Sequence, residues 1–396
     1  MNNVFELRGK CTGCAACAVA CPSNAILMKK NDKGFFAPTI ISDKCVSCGL
    51  CKKVCEKEMP FSKTPHLANY ALQAKNKSLL LESSSGGVAS TLSEQYVSKG
   101  NYVIGAFFNL QENIVDTKAS NRVDEIQIFK TSKYLQSNFY CGLSSAIKIA
   151  KKDKTSKFLV FGTPCQIAGA VNVCEFYHVN DQFTFVDFFC HGVPSYLVWE
   201  YYLKDKKIDP DILQYVSFRN KKNGWHSCFA MEIKDNKKEL FIPSGKDTFY
   251  NAFFDNVFLM DSCYKCKFRK GYSKSDIRLG DYWGGRYSSN EDGVSSALVY
   301  TNKGLELIND GGFSVLPSGN DLFDAQSTKD YQEEQYREKA FSSLLKNKSL
   351  KKAIKQYRKL FSFKVRVKLF GKKTIYTFLP IKLINKLKGK KWKRTK

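Results

Sequence analysis

The chain has no run of about 18 apolar residues of the kind a membrane-spanning helix needs. Its opening, MNNVFELRGK, lacks the apolar core of a secretory signal, so the expected location is cytoplasmic. Proline is sparse, with 10 in 396 residues, and 43% of the residues are apolar, a composition that excludes an intrinsically disordered chain. Beyond two related cysteine runs there is no repeat with a fixed period of tens of residues. Acidic residues are absent from residues 351–396, where 18 Lys or Arg gather, so most of the net charge of +26 sits in that stretch. No nucleic-acid-binding fold accompanies the charge, and nucleic acid is not the expected partner.

What the chain has in quantity is cysteine. Fifteen in a cytoplasmic protein read as metal ligands rather than disulfides, because that compartment keeps thiols reduced. Cys11, Cys14, Cys17 and Cys21, followed by Pro22, share the C-x2-C-x2-C-x3-C spacing of bacterial ferredoxins with Cys45, Cys48, Cys51 and Cys55. In that arrangement three closely spaced thiolates grip one 4Fe–4S cube and the fourth crosses to its neighbour. One cluster is therefore expected on Cys11, Cys14, Cys17 and Cys55, and a second on Cys45, Cys48, Cys51 and Cys21. Paired zinc sites fit less well, since zinc knuckles use two ligand pairs. One departure is Glu56, which stands where proline is common after such a run. Clusters of this kind carry single electrons, and a flavin is the usual converter between them and hydride chemistry.

Residues 1–62 form this module. Beyond it, strand-like stretches (NYVIGAFF, KFLVFG, FTFVDFF) alternate with helical ones, the latter from SSSGGVASTLSEQYVSKG, from GLSSAIKIAKK and from Pro194. The expected fold class is α+β: a ferredoxin-like module, then an α/β core with a mixed sheet in two parts, 78–155 and 156–325, and a basic helical tail at 340–396. Antiparallel strands are expected between about 213 and 243. The stretch ESSSGGVAS places serines and two glycines at a helix start, which suits either a cofactor phosphate or an ordinary serine cap. FLVFGTPCQIAG puts Cys165 at a helix N-terminus, and FVDFFCHGVPS puts Cys190 and His191 just past a strand. Ligands of α/β sheets gather beyond the carboxyl ends of strands, so both cysteines should face one crevice.

In order along the chain, SSGGVAS, SKYLQS, GTPCQIAG, DFFCHGVPS, CYKCKF and SDIRLGDYWG follow a two-cluster module. This series resembles the coenzyme F420 hydrogenase/dehydrogenase beta-subunit family over residues 1 to about 320. The resemblance implies an FAD-containing iron–sulfur oxidoreductase, with electrons passing between clusters and a hydride carrier or an unsaturated small-molecule substrate. Surface polysaccharide synthesis is one setting in which family members occur. It also implies that FAD lies among Ser85, Gly86 and Gly87, the Lys133/Gln136/Ser137 segment, and the Gly162-Thr163-Pro164 loop. The alternative is an F420-linked or substrate-free electron-transfer subunit that works with a donor or acceptor protein.

Seven cysteines remain after the ferredoxin ligands. Cys165, Cys190, Cys263 and Cys266 are read as ligands of a third 4Fe–4S cluster, against a reactive dithiol at 263 and 266 or plain structural thiols. Cys141, Cys174 and Cys228 read as small buried residues. His191 is a candidate proton donor, or a hydrogen-bonding partner of a cluster or phosphate. Trp225 and His226 either line a pocket or cap a hairpin, and Asp281-Tyr282-Trp283-Gly284 either walls the flavin or packs in the core. The basic tail, with FLPIKLINKLKGKKWKRTK, suits contact with an anionic membrane surface, against a solvated or partner-docking arm.

Overall fold

The computed structural model describes residues 11–57, 65–226, 229–323, 326, 328–363, 365–367, 369 and 371. Its centre is a nine-stranded mixed sheet. The four middle strands, Ile277–Asp281, Phe183–Phe188, Phe158–Phe161 and Tyr102–Asn109, run parallel to one another. Antiparallel strands extend both sides: Ser295–Val299, Ala68–Ala74 and Phe313–Leu316 on one, Ile114–Ser120 on the other, ending in the short Ser137–Asn138. The middle strands are apolar on both faces, as buried parallel strands must be. Phe158, Leu159 and Val160 are fully buried, and rings stack across the strands from Tyr102 to Phe158 at 5.3 Å and from Phe158 to Phe183 at 4.6 Å. The two expected parts of the core share this one sheet, which begins with Ala68–Ala74, before the expected start at 78.

A second, three-stranded antiparallel sheet joins Leu213–Asn220, Ala230–Asp235 and Glu239–Pro243. The helix expected from Pro194 runs over Tyr196–Lys206, because Ser195 caps it by accepting from the Leu197 amide at 3.0 Å.

The N-terminal module consists of two short helices, Ala16–Val19 and Leu50–Lys53, and a hairpin of Ile26–Lys30 with Phe36–Ile40. The hairpin tip is sunk into the core. Phe36 meets Tyr196 edge-on at 5.6 Å, the Ser195 hydroxyl donates to the Lys33 carbonyl at 2.5 Å, and the Tyr196 amide donates to that of Gly34 at 3.0 Å.

The helical tail expected from 340 begins as a helical pair, Arg337–Asn347 and Leu350–Tyr357, docked on the core. Ala340, Phe341 and Leu344 on one helix, and Leu350, Ala353, Ile354 and Tyr357 on the other, recur every three or four residues and are buried. Asp255 completes the join, accepting from the Tyr357 hydroxyl at 2.6 Å and from Arg358 at 2.6 and 3.0 Å. The segment 372–396, with its FLPIKLINKLKG pattern, lies outside the described residues. Among the described residues no helix is long and apolar enough to cross a membrane.

Candidate functional site

Within the N-terminal module thiols of the two runs lie close to one another, Cys17 with Cys51 and Cys55. Burial is the main reason Cys14 and Cys17 are held protonated, well above the ordinary thiol range, and a charge on Cys55, from the other run, adds to the shift of both. Cys11 acts on Cys17 in the same way. Cys21, from the first run, meanwhile lines a small hollow with Cys45, Cys48 and Cys51. Backbone amides already point at sulfur, Gly13 toward Cys11 and Ala25 toward Cys21, each at 3.3 Å. Such donors stabilise thiolate ligands. No three His, Cys, Asp or Glu side chains among the described residues converge tightly enough to hold a single metal ion. A cube spreads its four thiolates over four different irons and does not need that convergence.

Beyond the carboxyl ends of the parallel strands lies a cavity of about 1040 Å³, where α/β sheets place their ligands. Each strand feeds residues into its wall: Phe158–Phe161 leads to Gly162, Thr163, Pro164 and Cys165; Phe183–Phe188 to Phe189, Cys190 and His191; Ile277–Asp281 to Trp283. Cys263 and Cys266 complete this wall, and Thr12 and Lys57 reach it from the N-terminal module.

Cys165, Cys190 and Cys263 each lie within electrostatic reach of Cys266. Burial raises Cys165 well above the thiol range, Cys190 to about 12 and Cys263 to about 11; repulsion then adds from Cys190 and Cys266 on Cys165, from Cys263 and Cys266 on Cys190, and from Cys266 on Cys263. The Thr163 hydroxyl lies 3.2 Å from the Cys165 sulfur.

Residues expected at a flavin divide into two groups. Ser85, Gly87, Lys133, Gln136, Ser137, Gly162, Thr163 and Pro164 line the cavity. Gly87 starts the helix Val88–Ser98 with φ +79° and no side-chain cap, leaving that helix end to other partners. Gly86 is not on the wall: it lies beneath, its amide donating to Ser295 at 2.9 Å, and a Cβ there would sit 2.3 Å from the Leu72 carbonyl.

Several polar groups of this set are committed elsewhere. Gln136 accepts from the Phe36 amide at 2.7 Å and donates to its carbonyl at 3.1 Å, so its amide hooks the N-terminal hairpin. The Lys133 ammonium donates to the carbonyls of Ile128, Phe129 and Lys130, while burial pulls its pKa down to about 7. Ser137 accepts from Gln166, whose oxygen in turn accepts from the Thr163 amide.

His191 has partners for both nitrogens, Asn256 at 2.7 Å and Tyr331 at 3.1 Å, and burial lowers its pKa to about 4. The ring is neutral at neutral pH and holds its loop in place. Trp225 stacks behind Trp283 at 5.5 Å with 3° between planes, and its Nε1 donates to Asp281 at 2.6 Å. Tyr282 is buried, its hydroxyl on Asp321 at 2.6 Å. Cys174 is buried, but Cys141, expected inside, is exposed, because it opens the helix Tyr140–Lys152 on the side away from Leu143, Ala146 and Ile147. Cys228 lies outside the described residues.

Sequence reasoning missed Arg219, whose buried guanidinium pairs with Asp281 at 2.5 and 3.1 Å on the cavity wall. It also missed the contacts that Glu56 and Gly169 make between module and core. Each is a single residue whose partner lies far off in sequence, and no local pattern marks it.

Residues 155–312 match the family described as the C terminus of the coenzyme F420 hydrogenase/dehydrogenase beta subunit. Residues 10–59 match the 4Fe–4S dicluster domain. No curated protein matches the chain. Among solved structures, a chain from a xenon derivative of the F420-reducing NiFe hydrogenase complex of Methanosarcina barkeri is similar at 16% identity and a TM-score of 0.46, over 76% of this chain and 94% of that one.

Proposed function

Because the chain joins a 4Fe–4S dicluster domain to the C-terminal module of a coenzyme F420 hydrogenase/dehydrogenase beta subunit, we propose that it is a flavin-dependent oxidoreductase in which electrons cross from the N-terminal clusters to FAD in the core cavity. FAD and a third cluster on Cys165, Cys190, Cys263 and Cys266 are part of this proposal. The observation that carries it is that those four cysteines all line one cavity, at the upper end of the roughly 300–1,000 Å³ range of small-molecule sites. Bound there, a flavin collects single electrons and delivers them in pairs as a hydride equivalent.

The chain's own residues then have distinct tasks. The helix end at Gly87 and Val88 offers amides and a positive dipole to a phosphate group. Arg219, fixed by Asp281, sets a cation on the wall with Trp283 beneath it. His191, neutral and bonded on both sides, orders the Cys190 loop instead of supplying a proton. The cavity, large enough for a small molecule beside the cofactor, favours a small-molecule substrate or hydride carrier of the protein's own over a substrate-free subunit.

FAD titration tests the reading. Saturable binding near one FAD per chain supports it, and Gly87→Val should weaken binding by at least about tenfold, since a side chain at φ +79° is strained and its Cβ meets Ala74 at 2.9 Å. No binding by the wild type would end it. Membrane contact is a separate proposal, now confined to the segment after Phe361. Deleting 362–396 should abolish sedimentation with anionic vesicles, and equal binding without that segment would refute it.

A further inference from the structure

Where the N-terminal module meets the core, a charged pair sits in a place that stability does not explain. Glu56 directly follows Cys55, and its side chain is 1% exposed. Among the described residues neither carboxylate oxygen has a hydrogen-bond partner. Its charge is met by the Lys267 ammonium at 3.2 Å and the Lys57 ammonium at 3.5 Å. Lys267 directly follows Cys266, and its ammonium also donates to the Glu56 backbone carbonyl at 3.0 Å. An apolar residue of similar size generally serves stability as well as a buried ion pair does. The pair therefore calls for another account.

Its position supplies one. Glu56 follows Cys55 of the module and Lys267 follows Cys266 of the core, so the ion pair ties the two together beside their cysteines. The backbone brings the same two groups together. The helix Pro164–Phe176 carries Cys165, Gly169 and Asn172 at helical spacing, hence on one face. A Cβ at Gly169 would lie 2.8 Å from the Cys14 sulfur, and Asn172 donates to the Val54 carbonyl at 3.1 Å. Gly169, against which Cys14 rests, lies four residues, about 6 Å of helical rise, from Cys165.

We propose that the Glu56–Lys267 clasp is the electron junction of the molecule: a pair of positioning residues that locks the module's inner cluster against the core cluster and sets their relative potentials. The proposal rests on reading Cys165, Cys190, Cys263 and Cys266 as ligands of a third cluster. With both clusters bound, one electron would cross this junction, oxidising the inner cluster and reducing the core cluster, with no proton or leaving group involved. Two such transfers match one hydride equivalent at the flavin. A negative charge between two clusters disfavours an added electron on either, and the neighbouring lysine favours it.

The test compares full-length wild type, Glu56→Gln, Lys267→Met and Glu56→Asp, purified anaerobically, by iron content and redox titration followed by EPR. All four should hold about twelve irons, four per cluster. Glu56→Gln should raise the midpoints of the inner and core clusters, Lys267→Met should lower them, and Glu56→Asp should stay near wild type, with the outer cluster moving least. The magnetic interaction between the inner and core clusters should weaken in Glu56→Gln and Lys267→Met. Lys267 is partly exposed, so its variant keeps the test open if the buried position tolerates no change. Midpoints that stay put, or that move the same way in both variants, overturn the clasp while leaving the third cluster standing. A wild-type content near eight irons overturns the third cluster, and the junction with it.

Discussion

The two cysteine runs have the same spacing and opposite surroundings. The first is set among small residues, with Ala15, Ala16, Ala18 and Ala20 all buried, and Cys14 and Cys17 are each only 8% exposed. The second is more open: Cys48 is exposed, Val46 is 67% exposed and Lys52 and Lys53 follow Cys51, the one cysteine of this run that is buried. Spacing thus decides which atoms are held, and the neighbours decide what each site can meet. The alanines let the helix Pro164–Phe176 approach until Gly169 touches the Cys14 sulfur, so the inner site faces the core. The outer site reaches solvent through Cys48, and under the proposed function that is where an external electron carrier would gain access.

Breaking a ligand on each side should give the largest effect. Cys14→Ser and Cys48→Ser should each lose about four irons, but only Cys14→Ser should cut the core off from an external donor that still reduces the outer site. Iron analysis with EPR of the remaining clusters checks this. Next comes Gly169→Val, which forces methyl groups against Cys14 and Ala16 and should cost about 3 kcal/mol in urea unfolding. Gln136→Ala should cost about 1–2 kcal/mol, because the Phe36 amide and carbonyl both lose their partner. Faster hydrogen exchange at Phe36 would show it.

The smallest and most discriminating difference is in thiol chemistry. After the clusters are stripped, iodoacetamide at pH 8 should label Cys48 well before Cys14 or Cys17. The thiolate is the nucleophile, and burial holds those two thiols protonated far above that pH. Equal labelling rates would erase the inner and outer distinction.

Local features of the sequence were easily read. The cluster runs are defined by spacing alone, and the strand–turn–helix stretches around Cys165 and Cys190 announce themselves by short apolar runs ending in glycine or proline. Pairings across long separations were not visible: Gln136 with Phe36, Glu56 with Lys267, Gly169 with Cys14. Gln136, Ser137 and Lys133 were expected to touch a cofactor, and much of their hydrogen bonding goes instead to the protein's own backbone and to Gln166. At the C-terminus, lysine-rich composition masked the apolar stripe from Ala340 to Tyr357, whose spacing was readable but whose partner surface on Tyr196–Lys206 and Thr248–Phe254 was not.

The most direct test of the account is joint measurement of iron, acid-labile sulfide and flavin in anaerobically purified protein. About twelve irons with matching sulfide and one FAD per chain are expected. About eight irons would remove the cluster on Cys165, Cys190, Cys263 and Cys266, and a protein that holds no flavin after incubation with FAD would contradict the central claim.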